Sequence, residues 1–308
     1  MLARLRKSFL NLSLVALSSV IVFSISASIA QDSSAQVGST KDSFDIIIKS
    51  GRVIDGSGNP WYIADIGIIG ERIIRIGNLD GASANQTIDA TGLTVSPGFI
   101  DPHTHALQGI FDVPNAESAL LQGVTTLTEG NDGSSPFPID KHYEKIANKQ
   151  ISPNWAVFVG QGTIRELVIG EEDREATAVE MAQMKQMVHQ AMEQGALGIS
   201  TGLFYVPGSF TSTEEIIELS KVAAKFGGIY ISHMREEAGQ LIDSVNETIR
   251  IGEEANIPVQ VTHHKVIGAK NWGASKESLK LVDEARSRGV DITIDQYPYP
   301  ASQTGINA

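Results

Sequence analysis

Val95-Ser96-Pro97-Gly98-Phe99-Ile100-Asp101-Pro102-His103-Thr104-His105 is the stretch that decides how this chain is read. The run is apolar, has β character and closes on two histidines one residue apart. Strand side chains alternate with period 2, so both imidazoles are expected on one face of a strand end. Two neutral imidazoles converging at about 2.0 Å suit a borderline-soft divalent ion such as zinc. A His-x-His pair is common and means little alone; its neighbours give it weight. Pro97 and Gly98 start the strand sharply, and Asp101 can accept a bond from an imidazole N–H or from loop backbone.

Beyond His105 the pattern alternates strand with helix. Apolar, β-branched runs at 123–129, 155–160, 195–201, 228–233, 257–263 and 290–296 are separated by helical spacing, clearest over 178–194, 212–226 and 237–255. Counting the run before His103, seven strands result. The segment 178–194 carries four of the six methionines, which read as core filler. The fold class expected is α/β: a (β/α)8, TIM-like barrel over residues 96–308, incomplete at about seven strands. Polar residues at the C-terminal ends of such strands read as catalytic. Residues 44–95 differ, with short β-branched runs punctuated by glycine turns, and are expected to form a small N-terminal β-sandwich domain.

Composition narrows the function. A net charge of −12 argues against nucleic acid, whose phosphates demand a basic face. With no cysteine, there is no disulfide, thiolate ligand or cysteine nucleophile to propose. Arg4, Arg6 and Lys7 precede an apolar run from Phe9 to Ile25, which ends in the small residues Ala27-Ser28-Ile29-Ala30. Residues 1–30 are therefore read as a cleaved export signal, followed by a polar, serine-rich flexible leader over 31–43. An uncleaved anchor is disfavoured by Asn11 and the serines, which make the run marginal for the roughly 20 residues a span needs. A periplasmic or secreted protein, with no stable membrane insertion once the signal is removed, is the expectation.

The histidines fall where the barrel rule wants them. His103 and His105 end strand one, His233 ends strand five and His263 ends strand six. His142 and His189 are expected at the surface, and His264, on the opposite strand face from His263, is expected to be structural. Asp295, near the end of strand seven, reads equally as a site residue or as a buried structural carboxylate.

This layout resembles the amidohydrolase superfamily, and within it the N-acyl-D-amino-acid deacylase (D-aminoacylase) family. The matching stretches are 96–105, 123–133, 195–208 with its Ser-Thr-Gly-Leu-Phe-Tyr-Val-Pro-Gly, Ser232-His233-Met234-Arg235-Glu236-Glu237, Thr262-His263-His264-Lys265 and Asp295-Gln296-Tyr297-Pro298-Tyr299. The resemblance implies that His103 and His105 hold a weakly bound metal and that His233 and His263 hold a tightly bound zinc. It also implies that Lys265 and Tyr297 fix a substrate carboxylate, tasks for which an ammonium and a phenol are suited.

Two departures stand out. Where characterised members of the family carry a cysteine ligand, this chain has Asp132; aspartate also binds zinc, and Glu129 is the rival ligand. Residues 195–201 contain no lysine, which disfavours the hydantoinase and dihydroorotase branches and leaves open whether one Zn2+ or two are bound. The second departure concerns the proton-relaying aspartate of the superfamily's eighth strand, which is expected beyond Ala308, so the fragment by itself is expected to be inactive. For the complete protein the resemblance implies hydrolysis of the amide of small N-acyl-D-amino acids by a metal-activated water, releasing a carboxylate and a free D-amino acid. The alternatives are a dipeptidase or cyclic amidase of the same superfamily, or a catalytically dead exported binding protein.

Overall fold

A computed structural model describes residues 43–305; the export signal and the leader up to residue 42 lie outside the described residues. The chain divides into two compact units, one of residues up to 53 together with 62–94, the other of 54–61 and 95 onward.

The first unit is a mixed sheet. Strands β1 (Ser43–Val53), β2 (Tyr62–Ile69), β3 (Arg72–Gly77) and β4 (Ser83–Asp89) lie in the order β3-β2-β1-β4, and the short β5 (Thr94–Val95) pairs with β1. β1 runs antiparallel to β2 and parallel to β4. Its small core is Phe44, Ile47 and Leu79. A second sheet facing it is not found among the described residues.

The second unit carries parallel strands in two sheets. β6 (Phe99–Asp101), β7 (Val124–Glu129) and β8 (Asn154–Val157) form one, and β9 (Val159–Gly160), β10 (Gly198–Gly202), β11 (Ile229–His233), β12 (Val259–Val261) and β13 (Ile292–Ile294) form the other. β8 and β9 are one passage of chain interrupted only at Phe158, so the strands amount to seven passages in sequential order. Every pairing between these passages is parallel, as the strand-helix alternation requires. At the start of β6, a Cβ on Gly98 would lie 2.0 Å from Thr125 Oγ1, so only glycine lets β6 approach β7.

The connecting helices are α1 (Glu117–Leu120), α2 (Ile139–Lys149), α3 (Gln161–Val168), α4 (Ala178–Glu193), α5 (Thr213–Ala224), α6 (Leu241–Ala255) and α7 (Ser275–Ser287). None is long and apolar enough to cross a membrane. α4 begins on a capping box, with Thr177 accepting from the Glu180 amide and Glu180 accepting from the Thr177 amide, the arrangement that satisfies two free N–H groups of a helix start. Met184 and Met192 are buried in the core, as filler should be. α6 starts at Leu241, later than the Glu237 its sequence pattern suggests. Glu236 accepts from the amides of Ala238 and Gln240, and this side-chain bonding holds the preceding residues in a turn.

Two buried polar groups tie helices to the core. Arg165 of α3 is fully buried; its Nη1 donates to Glu215 of α5 at 2.6 Å and its Nη2 to the carbonyl of Arg174. His142 of α2 is also buried, which corrects its expected surface position: Trp155 Nε1 donates to His142 Nε2 at 3.0 Å and Phe111 packs on the ring. Burial, then the charge of Lys145, pushes this imidazole below its usual range. His189 pairs with Glu193 on an exposed face of α4, and His264 is buried against Ser278, as expected.

Arg165→Ala leaves Glu215 buried without its cation, and should lower unfolding stability by about 3–5 kcal/mol in a denaturant titration. His142 predicts a pH dependence. Its folded-state pKa lies below the unfolded value near 6.5, so the unfolded chain binds the extra proton and stability falls as pH drops below about 6.5. His142→Phe should flatten the melting temperature between pH 7 and 5 relative to wild type; an unchanged slope would rule this out.

Candidate metal centre

The centre is built on loops that follow the strands. β6 ends at Asp101, so His103 and His105 sit past the strand, not on its face as the alternation suggested. Asp101 Oδ1 accepts from the His103 amide at 3.1 Å, choosing loop backbone over an imidazole. Glu129, the last residue of β7, braces the same loop: its Oε1 accepts from Thr104 Oγ1 and from the Ala106 amide. Burial raises the Glu129 pKa against those bonds. Its carboxylate is spent on the backbone that carries the histidines.

The turn after β7 delivers Asp132. Gly130, Asp132 and Gly133 all have left-handed backbone, with Asp132 at φ 54°; aspartate is among the few side chains that tolerate this. Ser200 of β10 pins the turn by donating to the Gly130 carbonyl and accepting from the Gly133 amide. Asn131 Nδ2 donates to the Thr104 carbonyl at 2.8 Å, joining the turn to the histidine loop. His233 is the last residue of β11. His263 lies two residues beyond β12 at φ 36°, a strained value of the kind that gathers at functional sites. Asp295, just past β13, accepts from the His263 amide and from Gln260 Nε2.

These loops bring four imidazoles around one carboxylate. Asp132 Oδ1 lies 3.5 Å from His103 Nε2, 3.7 Å from His233 Nδ1 and 3.7 Å from His263 Nε2, while Asp132 Oδ2 lies 3.3 Å from His105 Nε2. Two donor groups result, His103-His105-Asp132 and Asp132-His233-His263, each compact enough to hold a metal ion and sharing the aspartate. Asp132 Oδ1 and His103 Nδ1 are buried with no hydrogen-bond partner. Ligands at about 2.0–2.2 Å on a tetrahedral zinc stand roughly 3.3–3.5 Å from each other. The spacings around Asp132 are of that size, too long for good hydrogen bonds. His233 and His263 are closer, at 2.8 Å between ring nitrogens. The residues present therefore fit a divalent ion. Glu129 belongs to neither group, and Asp132 belongs to both.

Charge in the site is tightly coupled. Burial is the largest influence on Asp132 and opposes its ionisation, yet the four imidazoles together hold its carboxyl far below the usual range. Burial likewise opposes protonation of His103, but Asp132 and Asp295 prevail and its pKa is pushed up to about 9. The set is open at His105, whose side chain is 68% exposed, while those of His103, His233 and His263 are 10–13% exposed.

Lys265 and Tyr297 also converge here. Lys265 Nζ lies 2.7 Å from Glu237 and 5.9 Å from the centre of the Tyr297 ring. Sequence reasoning missed two neighbours. Glu237 Oε1 sits 3.0 Å from His263 Nδ1, and Tyr205 packs its ring 4.6 Å from that of His233. Burial raises the Tyr205 pKa, so its phenol keeps its proton.

A parallel-stranded α/β unit with histidines gathered at strand ends is the mark of metal-dependent hydrolases of one class. The chain belongs to the amidohydrolase family, whose sequence profile matches residues 86–303. It is similar to the D-aminoacylase of Alcaligenes xylosoxydans xylosoxydans, 39% identical over 284 residues that make up 85% of this chain and 58% of the relative. Among solved structures, it resembles a D-aminoacylase studied for its binuclear metal centre (TM-score 0.76, 39% identity, 83% of this chain and 59% of the other). It also resembles the N-acyl-D-glutamate deacylase of Bordetella bronchiseptica in complex with zinc and a phosphonate inhibitor (TM-score 0.80, 33% identity, 84% and 59%). The chain thus spans little more than half the length of the relatives it matches.

Proposed function

We propose that the complete protein hydrolyses the amide bond of N-acyl-D-amino acids at a zinc centre held by His103, His105, Asp132, His233 and His263. The observation that carries this reading is the pair of donor groups sharing Asp132, an arrangement suited to one ion or two. Zinc, when bound, supplies a Lewis acid for the acyl carbonyl and lowers the pKa of a water. Asp132 balances the ion's charge and joins the two ligand groups. Lys265 and Tyr297 hold the substrate carboxylate through an ammonium and a phenolic donor. The Tyr205 ring packs against His233, and its hydroxyl bonds to Thr304 Oγ1 at 2.9 Å. Glu129 binds no ion in this scheme; it fixes the backbone of the loop that carries His103 and His105.

An eighth strand, carrying the proton-relaying aspartate, closes the barrel between β13 and β6. In support, Phe99 and Ile100 of β6 are 61% and 66% exposed, and β6 and β13 each pair on one side only among the described residues, an edge that proteins normally cover. A second sheet layer over Ile63, Ile73 and Ile88, which are exposed in the first unit, completes the sandwich. Residues 1–30 act as an export signal and place the enzyme outside the cytoplasm, a reading supported by their charge and apolar pattern alone.

Full-length protein supplied with zinc should release free amine from N-acetyl-D-amino acids at least about tenfold faster than from their L enantiomers, a gap of roughly 1.4 kcal/mol in transition-state binding. No release from any D substrate overturns the substrate assignment, and release from dipeptides or cyclic amides instead redirects it within the family. His233→Ala should lose roughly one bound zinc per chain in metal analysis after dialysis; unchanged zinc content removes the ligand assignment.

A further inference from the structure

We propose that Glu237 is a positioning residue that selects the metal-binding tautomer of His263, an inference that rests on the ligand assignment above. His263 Nε2 faces the centre, 3.7 Å from Asp132 Oδ1 and 2.8 Å from His233 Nδ1. To bind an ion, that nitrogen must present a lone pair, and the neutral ring then carries its proton on Nδ1.

Two neighbours compete for Nδ1, and they ask for opposite tautomers. Lys265 Nζ lies 2.7 Å away; an ammonium has only donors, so it favours a bare Nδ1 with the proton on Nε2. That tautomer is fit to donate to His233 Nδ1 and unfit to bind metal. Glu237 Oε1, 3.0 Å away, has only acceptors and favours the proton on Nδ1. The carboxylate is buried and also takes Lys265 Nζ at 2.7 Å. Glu237 therefore does two things at once. It draws the lysine's hydrogen bonds onto itself, and it accepts a hydrogen bond from Nδ1–H when Nε2 turns to the ion. A carboxylate behind a ligating histidine raises its basicity and fixes its ring. Here the same carboxylate also holds the ammonium assigned to the substrate carboxylate, so ion site and substrate anchor share one support.

The test uses the full-length protein. Zinc affinity is measured by competition with a chelator, and the tautomer of His263 is read from ring nitrogen chemical shifts in the zinc-loaded protein. Wild type should show a protonated Nδ1 on His263. Glu237→Leu should weaken zinc binding by roughly 10–100-fold. Glu237→Gln, whose amide oxygen can still accept from Nδ1–H, should recover most of that loss. An unprotonated Nδ1 in the zinc-loaded wild type overturns the proposal, whether or not the leucine variant folds. Equal loss in the leucine and glutamine variants overturns it too, because the effect would then belong to charge alone. His263→Ala separates this inference from the reading beneath it. If that variant keeps its zinc, the ligand assignment fails; if it loses zinc while Glu237→Leu does not, only the role of Glu237 fails.

Discussion

One carboxylate facing four imidazoles is the constraint around which the larger unit is arranged. Asp132 is mostly buried, and its Oδ1 has three ring nitrogens at 3.5–3.7 Å with no hydrogen bond among them. A buried anion in that position is costly unless positive charge stands close by. Burial opposes protonation of His103 and His263, yet Asp132, with Asp295 at the first and Glu237 at the second, raises the pKa of both rings. A divalent cation would meet the cost of the buried anion more fully, and would let the rings return to neutrality.

Much of the surrounding structure serves to keep that carboxylate in place. The left-handed turn at 130–133 is held by Ser200 from β10 and by Asn131 reaching the histidine loop. Three further carboxylates do similar work on backbone: Asp101 holds the His103 amide, Glu129 the Ala106 amide and Asp295 the His263 amide. Acidic residues here organise loops more than they bind ions. A rigid parallel sheet fixes where each loop begins, and the carboxylates fix where each loop goes, to the tolerance that a coordination site needs.

The alternation of strand and helix was legible because its periods differ and its runs are long, and the four histidines were legible because they follow those runs. Asp132 could be found as a departure from a familiar pattern. The rest depended on contacts between distant segments. Glu237 opens what looks like an ordinary helical stretch, and only the turn that delays α6 to Leu241 brings its side chain back to His263. His142 sits on a helix of mostly polar sequence, so nothing local marks it as the partner of Trp155. The His103 and His105 loop reads as strand because period 2 carries on past Asp101, although the backbone pairing has stopped there.

The order in which the ligands occur along the chain has a consequence for assembly. His103, His105 and Asp132 fall within one stretch of 30 residues, but the outermost two histidines of the set, residues 103 and 263, are separated by five strand passages. Bringing them together demands loop closure over well more than a hundred residues, a cost recovered only when the non-local pairings form. The group of Asp132, His233 and His263 is thus completed only by the folded sheet, whereas the group of His103, His105 and Asp132 is local in sequence. An ion held by the second group clamps segments that the scaffold has already brought together, and the stability it confers there goes to the finished state.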